Sequence, residues 1–217
     1  KQSSDLFHPR GYHTGSVWPL FTGWTSLAEY SYGNDVQGFS HIMNNLLVYR
    51  NWGKGFVEEV LHGKEYKPSG VCRHQCWSET MVLQPAIEGM LGLKPDAPAN
   101  RIEISPAFPA DWDSVEVKNI RMGEHFIDMK MLRGNDRTTY TFVHKGPQPL
   151  EIRFTPFLPP GTKVNDYRIP AAREIDAGAL IGRHRLIIED TAIISYDHSG
   201  GISVLPLVPL PDPGDTT

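Results

Sequence analysis

The stretch KPDAPANRIEISPAFP, residues 94–109, divides this sequence of 217 residues into two halves with different patterns. Pro95, Pro98, Pro106 and Pro109 are crowded into it, and each proline removes a backbone donor and fixes φ, so that no helix continues through the stretch. Before it, apolar residues recur at helical spacing; after it, apolar and polar residues alternate. The sequence therefore predicts a helical segment followed by a β segment.

The helical segment, residues 1–94, is predicted to hold three helices. They are expected at residues 18–32, 35–50 and 77–92. The first two are separated only by a short turn at Gly33, which is typical of an αα-hairpin. On the first and third helices, the apolar spacing predicts that Trp24 and Trp77 face the core.

The β segment, residues 95–206, is predicted to be an antiparallel, sandwich-like domain, because short alternating runs are separated by turn residues. The candidate strands are residues 101–104, 115–122, 126–132, 138–144, 150–155, 186–189, 192–196 and 202–205. The last residues, 207–217, are rich in Pro and Asp and are expected to form a loosely attached tail.

Composition excludes several classes of function. With 40% hydrophobic and 21% charged residues, the chain resembles ordinary globular proteins, and no apolar run is long enough to span a membrane. A formal net charge of -4 and the absence of Lys- or Arg-rich runs argue against nucleic-acid binding.

Residues 1–9 carry no signal-peptide pattern, and the helical pattern starts almost at once, so we expect the domain to begin upstream of Lys1. The cellular compartment stays open.

Cys72 and Cys76 are the only cysteines, so there is no disulfide framework to interpret. With His74 between them they resemble half of a zinc site, but structural zinc sites need four ligands and no second cluster follows. We therefore expect no metal and no cofactor.

Two segments combine aromatic and hydrogen-bonding side chains directly before predicted helices: GYHTGSVWP, residues 11–19, and HQCWSE, residues 74–79. Sugar hydroxyls need several polar partners, and the apolar face of a sugar ring packs on Trp or Tyr. Both segments are thus candidates for a sugar site. Taken alone, each is more typical of a helix N-terminus whose side chains satisfy the backbone.

A third segment, GFVEEVLHGKEY at residues 55–66, carries carboxylates between the predicted helices. Glycoside hydrolysis requires a carboxylic acid and a carboxylate. If residues 57–61 are extended, Glu58 and Glu59 point to opposite sides, so that at most one of them faces a cleft. A solvated acidic loop is the alternative interpretation for each glutamate, Glu65 included.

The order of these segments resembles the glycogen-debranching, amylo-α-1,6-glucosidase type of glycoside hydrolase between residues 11 and 134. The resemblance rests on HTGSVWP (13–19), EVLHG (59–63), HQCWS (74–78), GMLGL (89–93) and SPAFPADW (105–112). It implies an (α/α)6 toroid, of which residues 1–94 would be the last hairpins, followed by a β-sheet cap.

The resemblance also implies roles for individual residues. Glu59, which begins a Glu-apolar-apolar-x-Gly pattern, would be the general base of an inverting enzyme, with Glu58 as the first substitute and Glu65 as the second. The residues expected to line the sugar site are His13, Trp18, His74, Gln75 and Trp77. The general acid would lie in an upstream part of the same polypeptide, which is needed to complete the toroid, so the isolated fragment is expected to be inactive.

Other interpretations stay open. An α-L-rhamnosidase or a disaccharide phosphorylase has a similar layout, although a phosphorylase needs a phosphate site and only Lys54, Lys64 and Lys67 lie near Glu59 in sequence. A non-catalytic carbohydrate-binding module, or a structural domain without ligand, is the alternative from a different class.

Overall fold

The computed structural model describes residues 6–51, 55–159, 161–169, 173–176 and 184–200. The chain forms two compact units, the first comprising residues up to Met90 and the second beginning at Leu91. The predicted strand at residues 202–205 and the predicted tail at residues 207–217 lie outside the described residues.

The first unit is helical. Helix α1 spans Pro19–Ser31, α2 spans Asp35–Asn51 and α3 spans Cys76–Gln84. Gly33, with φ at 80°, makes the turn between α1 and α2, a conformation that favours glycine. The third predicted helix is not α-helical throughout, since a π-helical turn follows α3 over Pro85–Met90. Pro85 has no N–H for the α-helical ladder, which accounts for the change of hydrogen-bond pattern at this position.

Helix α1 packs through two small residues, Gly23 and Ser26, and through the buried ring of Tyr30. Ser26 is buried and its hydroxyl donates to a backbone carbonyl of α2 at 2.7 Å. A Cβ on Gly23 would lie 2.4 Å from Cβ of Met81 in α3. The expectation that Trp24 and Trp77 are buried is wrong, since they are 51% and 43% exposed. The packed face of α1 is formed instead by Pro19, Gly23, Ser26 and Tyr30, and at Gly23 there is no room for a side chain.

A buried asparagine links the three helices. Asn45 of α2 donates from Nδ2 to the carbonyl of Pro19 in α1 at 3.0 Å and to the carbonyl of Met81 in α3 at 3.2 Å. Pro19 begins α1, directly after the segment of residues 11–18. Asn45 therefore holds the start of that helix against its neighbours.

Replacement of Asn45 by Ala is expected to lower the free energy of unfolding by about 1–3 kcal/mol, because two buried hydrogen bonds are lost. The matched control is Asn44→Ala, at the adjacent and exposed position of the same helix. Both substitutions gain the same helix propensity, so their difference isolates the buried contacts. Urea unfolding followed by circular dichroism measures both; equal stabilities would contradict the linking role of Asn45.

The second unit contains the strands. Strands β1 to β5 span Leu93–Asp96, Arg101–Ile104, Ser114–Met122, His125–Arg133 and Arg137–Lys145. Strands β6 to β10 span Leu150–Phe154, Lys163–Arg168, Arg173–Asp176, His184–Ile188 and Thr191–Ser199. A 3₁₀ turn over Ala97–Ala99 joins β1 to β2. Within the described ranges the strands form two sheets, ordered β1-β2-β6-β9-β8 and β3-β4-β5-β10-β7.

Alternating burial creates the core between these two sheets. Buried and more exposed residues alternate along β4, β5, β9 and β10. Tyr140 and Phe142 of one sheet contact Phe154 of the other, with ring centroids 4.9 and 5.1 Å apart.

The two mostly antiparallel sheets confirm the predicted β-rich second half. The pair β2–β6 is the parallel exception, and β1, β7 and β8 are strands that the sequence pattern did not predict.

A row of hydrogen-bonded polar side chains lies within the β unit. The Oδ1 atom of Asn100 lies 2.5 Å from Nε2 of His125, Nδ1 of His125 lies 2.8 Å from Nε2 of His144, and Nδ1 of His144 lies 2.8 Å from the carbonyl oxygen of Glu189. Burial, and secondly the neighbouring His144, lower the pKa of His125. Gly146 allows the two imidazoles to meet, because a Cβ there would lie 2.4 and 2.6 Å from their facing nitrogens.

We expect Gly146→Ala to destabilise the β unit by about 1–3 kcal/mol, the usual cost of forcing extra volume into a packed site. Gly134→Ala is the control, since the nearest atom to its added Cβ is 3.6 Å away and neither glycine has a positive φ. The melting temperature of each variant is measured by differential scanning calorimetry. A Gly146→Ala protein as stable as the control would show that the imidazoles separate without cost.

No helix in the described ranges combines the length and the apolar character needed to cross a membrane.

Candidate functional site

The acidic segment contains a short stretch, residues 57–61, that pairs with two other segments. Val17 and Leu61 exchange backbone hydrogen bonds of 2.9 and 2.7 Å. The N–H of Glu59 donates to the carbonyl of Cys72 at 2.9 Å. The stretch is therefore held by the residues before α1 and by the loop that leads to α3.

The same stretch is joined to the start of α3. Gln75 is the N-cap residue of α3, and its N–H donates to the carbonyl of Val57 at 3.1 Å. The carbonyl of Gln75 accepts the N–H groups of Ser78 and Glu79, both at 3.0 Å. The fold thus brings together the three segments that the sequence singled out.

Close backbone approach at glycines allows this convergence. The N–H of Gly63 donates to the carbonyl of Pro9 at 2.8 Å, and a Cβ on Gly63 would lie 2.1 Å from the carbonyl oxygen of Gly15. The carbonyl of Gly11 accepts N–H groups from residues 14–16 at 3.2, 3.0 and 2.9 Å. The loop before α1 is therefore tightly folded and attached directly to the acidic segment.

Glu59 is buried, with 7% of its surface exposed, and its carboxylate contacts an aromatic side chain. The hydroxyl of Tyr12 donates to Oε1 of Glu59 at 2.6 Å. The Tyr12 ring packs edge-on against Trp18 with centroids 4.6 Å apart, and the indole N–H of Trp18 donates to the Tyr12 carbonyl at 3.1 Å. Trp18 and Glu59 are thus connected through Tyr12.

The aromatic side chains continue from this point along α1. The rings of His13 and Trp18 are stacked at 6.2 Å, and the exposed Phe21 and Trp24 follow at successive centroid distances of 5.6 Å. These four side chains, which we call the aromatic row, start beside Tyr12 and extend along the exposed side of the helix.

The adjacent carboxylates of Glu58 and Glu59 have different partners. Oε1 of Glu58 accepts the N–H of Gly70 at 2.8 Å, and its Oε2 is buried without a hydrogen-bond partner in the described part of the chain. Glu65 is exposed and pairs at 2.5 Å with Lys67, which lowers the pKa of Glu65. Glu59 is the predicted base that lies beside aromatic rings.

The remaining predicted residues lie at the start of α3. Nε2 of His74 lies 3.1 Å from Oε2 of Glu79, and the His74 ring contacts Phe56 with centroids 4.6 Å apart. Gln75 contacts the acidic segment through its backbone, as described above. Trp77 lies half-exposed in the first turn of α3.

Tyr12, Phe21 and Phe56 were missed as site residues by the sequence reasoning. Each lies inside or next to a segment that was singled out, and Tyr12 directly precedes His13. The sequence does show that Tyr12 places a phenol in a glycine-bounded loop. Its partner, Glu59, lies 47 positions away in the chain. Sequence spacing alone does not identify such a partner.

The hydrogen bond to Glu59, followed by burial and by the charge of that carboxylate, raises the pKa of Tyr12. Because the ordinary pKa of this group is 10.0, the phenol is protonated at neutral pH and remains a donor. A buried carboxylate with one oxygen engaged by a phenol has a second oxygen with which to accept a proton.

The cysteines are both free thiols. Sγ of Cys72 lies 3.3 Å from the carbonyl oxygen of His74, and Cys76 is exposed. Over the described ranges, no group of three or more His, Cys, Asp or Glu side chains is placed to hold a metal ion.

No protein-family model and no curated protein sequence matches the chain. Among solved structures, it is similar to the α-L-rhamnosidase of Streptomyces avermitilis complexed with L-rhamnose, at 10% identity and a TM-score of 0.40 over 60% of this chain and 12% of that chain. The α-L-rhamnosidase of Dictyoglumus thermophilum matches at 9% identity and a TM-score of 0.37, over 60% of this chain and 16% of that chain. Both proteins are glycoside hydrolases. The chain spans a small part of the length of either enzyme.

The hydrogen bond between Tyr12 and Glu59 predicts a change in the ionisation of Tyr12 that can be measured by spectroscopy. In Glu59→Gln, the phenol of Tyr12 loses the charged acceptor that favours its protonated form, so its ionisation moves to lower pH. Ultraviolet difference titration at 295 nm measures this, with Tyr12→Phe identifying the contribution of Tyr12. Identical titrations of the wild type and Glu59→Gln would show that the hydrogen bond does not form in solution.

Proposed function

We propose that this chain is the C-terminal part of a glycoside hydrolase that cleaves α-glucosidic bonds of a glucan or oligosaccharide with inversion, and that Glu59 is its general base. The observation that carries the proposal is the buried Glu59 carboxylate, hydrogen-bonded to Tyr12, whose ring packs on Trp18 at the start of the aromatic row. This combines a proton acceptor with a surface suited to a sugar ring.

The chemistry requires a carboxylate with an oxygen that can accept a proton from a water molecule. In an inverting enzyme, one carboxylate removes a proton from the attacking water while a carboxylic acid protonates the leaving oxygen, the two groups lying roughly 6.5–9.5 Å apart. Oε1 of Glu59 is engaged by Tyr12, so Oε2 would accept the proton. Glu65 suits this role less, because it is exposed and paired with Lys67. Two carboxylates perform the whole reaction, so no cofactor or metal is required.

The aromatic row would supply the sugar contacts. Indole and phenyl faces pack on the apolar C–H face of a pyranose, and His13 adds hydrogen-bonding nitrogens beside Trp18. His74, Gln75 and Trp77, at the start of α3, would contribute to the same sugar site from the far end of the acidic segment.

The helical unit would belong to an (α/α)6 toroid of the amylo-α-1,6-glucosidase type. The αα-hairpin of α1 and α2, joined at Gly33, is the repeating unit of such a ring. The other hairpins and the general acid would come from an upstream part of the same polypeptide. Within this proposal, residues 1–94 complete the toroid and residues 95–206 form its β cap.

The test compares two neighbouring glutamates in the complete polypeptide that contains this chain. Glu59→Gln keeps the size of the side chain and an acceptor for Tyr12 but removes the base, so kcat for a limit dextrin with α-1,6-linked glucose branches is expected to fall by about 100- to 10,000-fold. Glu58→Gln, whose carboxylate contacts Gly70 instead, is the matched control and should retain activity. NMR of the first product should show β-glucose, the inverted anomer.

Normal turnover by Glu59→Gln would contradict the assignment of the base, and loss of activity in Glu58→Gln alone would transfer the role to Glu58. Hydrolysis of p-nitrophenyl α-L-rhamnoside but not of the dextrin would identify a rhamnosidase. Cleavage that depends on inorganic phosphate would identify a phosphorylase. Glycan binding by the isolated chain without any hydrolysis by the complete polypeptide would favour a carbohydrate-binding module.

A further inference from the structure

We infer that Tyr12 is a positioning residue that holds the carboxylate of Glu59 in one orientation and so determines which oxygen receives the proton from water. This inference rests on the proposed function. A donor–acceptor distance of 2.6 Å is typical of a hydrogen bond to a charged carboxylate, which is stronger than one between neutral groups. The bond occupies Oε1 and leaves Oε2 to the reaction.

Tyr12 is itself held in place by three contacts, two of them with Trp18. Its carbonyl accepts the indole N–H of Trp18, and its ring packs edge-on against both Trp18 and His13 at 4.6 and 4.8 Å. The loop around it is folded about the carbonyl of Gly11. A phenol fixed in this way imposes its direction on the carboxylate rather than following it.

Glu59 needs such an anchor because its side chain has several rotatable bonds. Its backbone is fixed by the N–H donated to Cys72 and by the pairing of Leu61 with Val17, but neither contact restrains the carboxylate. Glu58 shows the alternative, in which a backbone N–H holds the carboxylate. At Glu59 the holding group is a side chain, which substitution removes without altering the backbone.

The titratable neighbours of the Glu59 carboxylate do not replace this function. Tyr12 faces it from the loop before α1, Glu58 adjoins it in sequence, and Cys72 lies on the segment paired with its backbone. Of these three groups, Tyr12 is the one that donates a hydrogen bond to the carboxylate. Its raised pKa keeps the proton on the phenol over the neutral range.

The experiment uses Tyr12→Phe in the complete polypeptide, with the branched limit dextrin as the substrate. The ring and its packing on Trp18 are kept, and only the donor is lost. We expect kcat to fall by about 10- to 100-fold with little change in KM, since a misdirected base affects the transition state rather than substrate binding.

Tyr32→Phe is the matched control, since Tyr32 directly follows α1 and is 85% exposed. It should leave kcat, KM and the pH profile unchanged. If Tyr12→Phe unfolds, incorporation of 3,5-difluorotyrosine at position 12 keeps the contact and makes the phenol more acidic. The alkaline limb of kcat should then move to lower pH, as ionisation of the phenol removes the donor; an unmoved limb would overturn the inference.

The outcomes separate this inference from the function on which it rests. A folded Tyr12→Phe enzyme with wild-type kcat, beside an inactive Glu59→Gln, would overturn the positioning role and leave the proposed base in place. A raised KM with unchanged kcat would also overturn it, because Tyr12 would then be a sugar contact. Full activity of Glu59→Gln would overturn both proposals together.

Discussion

Two backbone hydrogen bonds between Val17 and Leu61 are the constraint on which the candidate site depends. They join the loop that precedes α1 to the stretch that carries the glutamates, although the two lie far apart in the chain. Because Gly63 carries no Cβ, its backbone approaches the carbonyl of Gly15 closely enough for this pairing. The contact of Tyr12 with Glu59 follows from it, since both side chains project from the paired segments.

The packing of the three helices decides which aromatic side chains of α1 are buried and which are exposed. The three helices meet through Gly23, Ser26 and the buried amide of Asn45, together with the buried side chains of Tyr30, Phe39 and Met81. Phe21 and Trp24 of α1 lie outside this packed face, in the aromatic row that begins beside the phenol of Tyr12.

The β unit shows which strands a sequence pattern predicts and which it does not. Strands β1, β7 and β8, which were not predicted, lie at sheet edges in the described part of the chain. An edge strand pairs on one side only, so it tolerates proline and charged residues and need not show clean alternation. Strand β1 contains Pro95, which had been interpreted as a break. Central strands such as β4 and β5 alternate regularly because one face of each is buried.

The sequence by itself determined the order of a helical and a β half and the positions of the central strands, because periodicity and alternation are local properties of the chain. Only the tertiary structure decided that Trp24 and Trp77 are exposed and that Tyr12 is the partner of Glu59. Burial depends on how closely helices approach, and a hydrogen bond between distant residues depends on which segments pair. The spacing of neighbouring residues encodes neither the burial of a side chain nor the distant partner of a hydrogen bond.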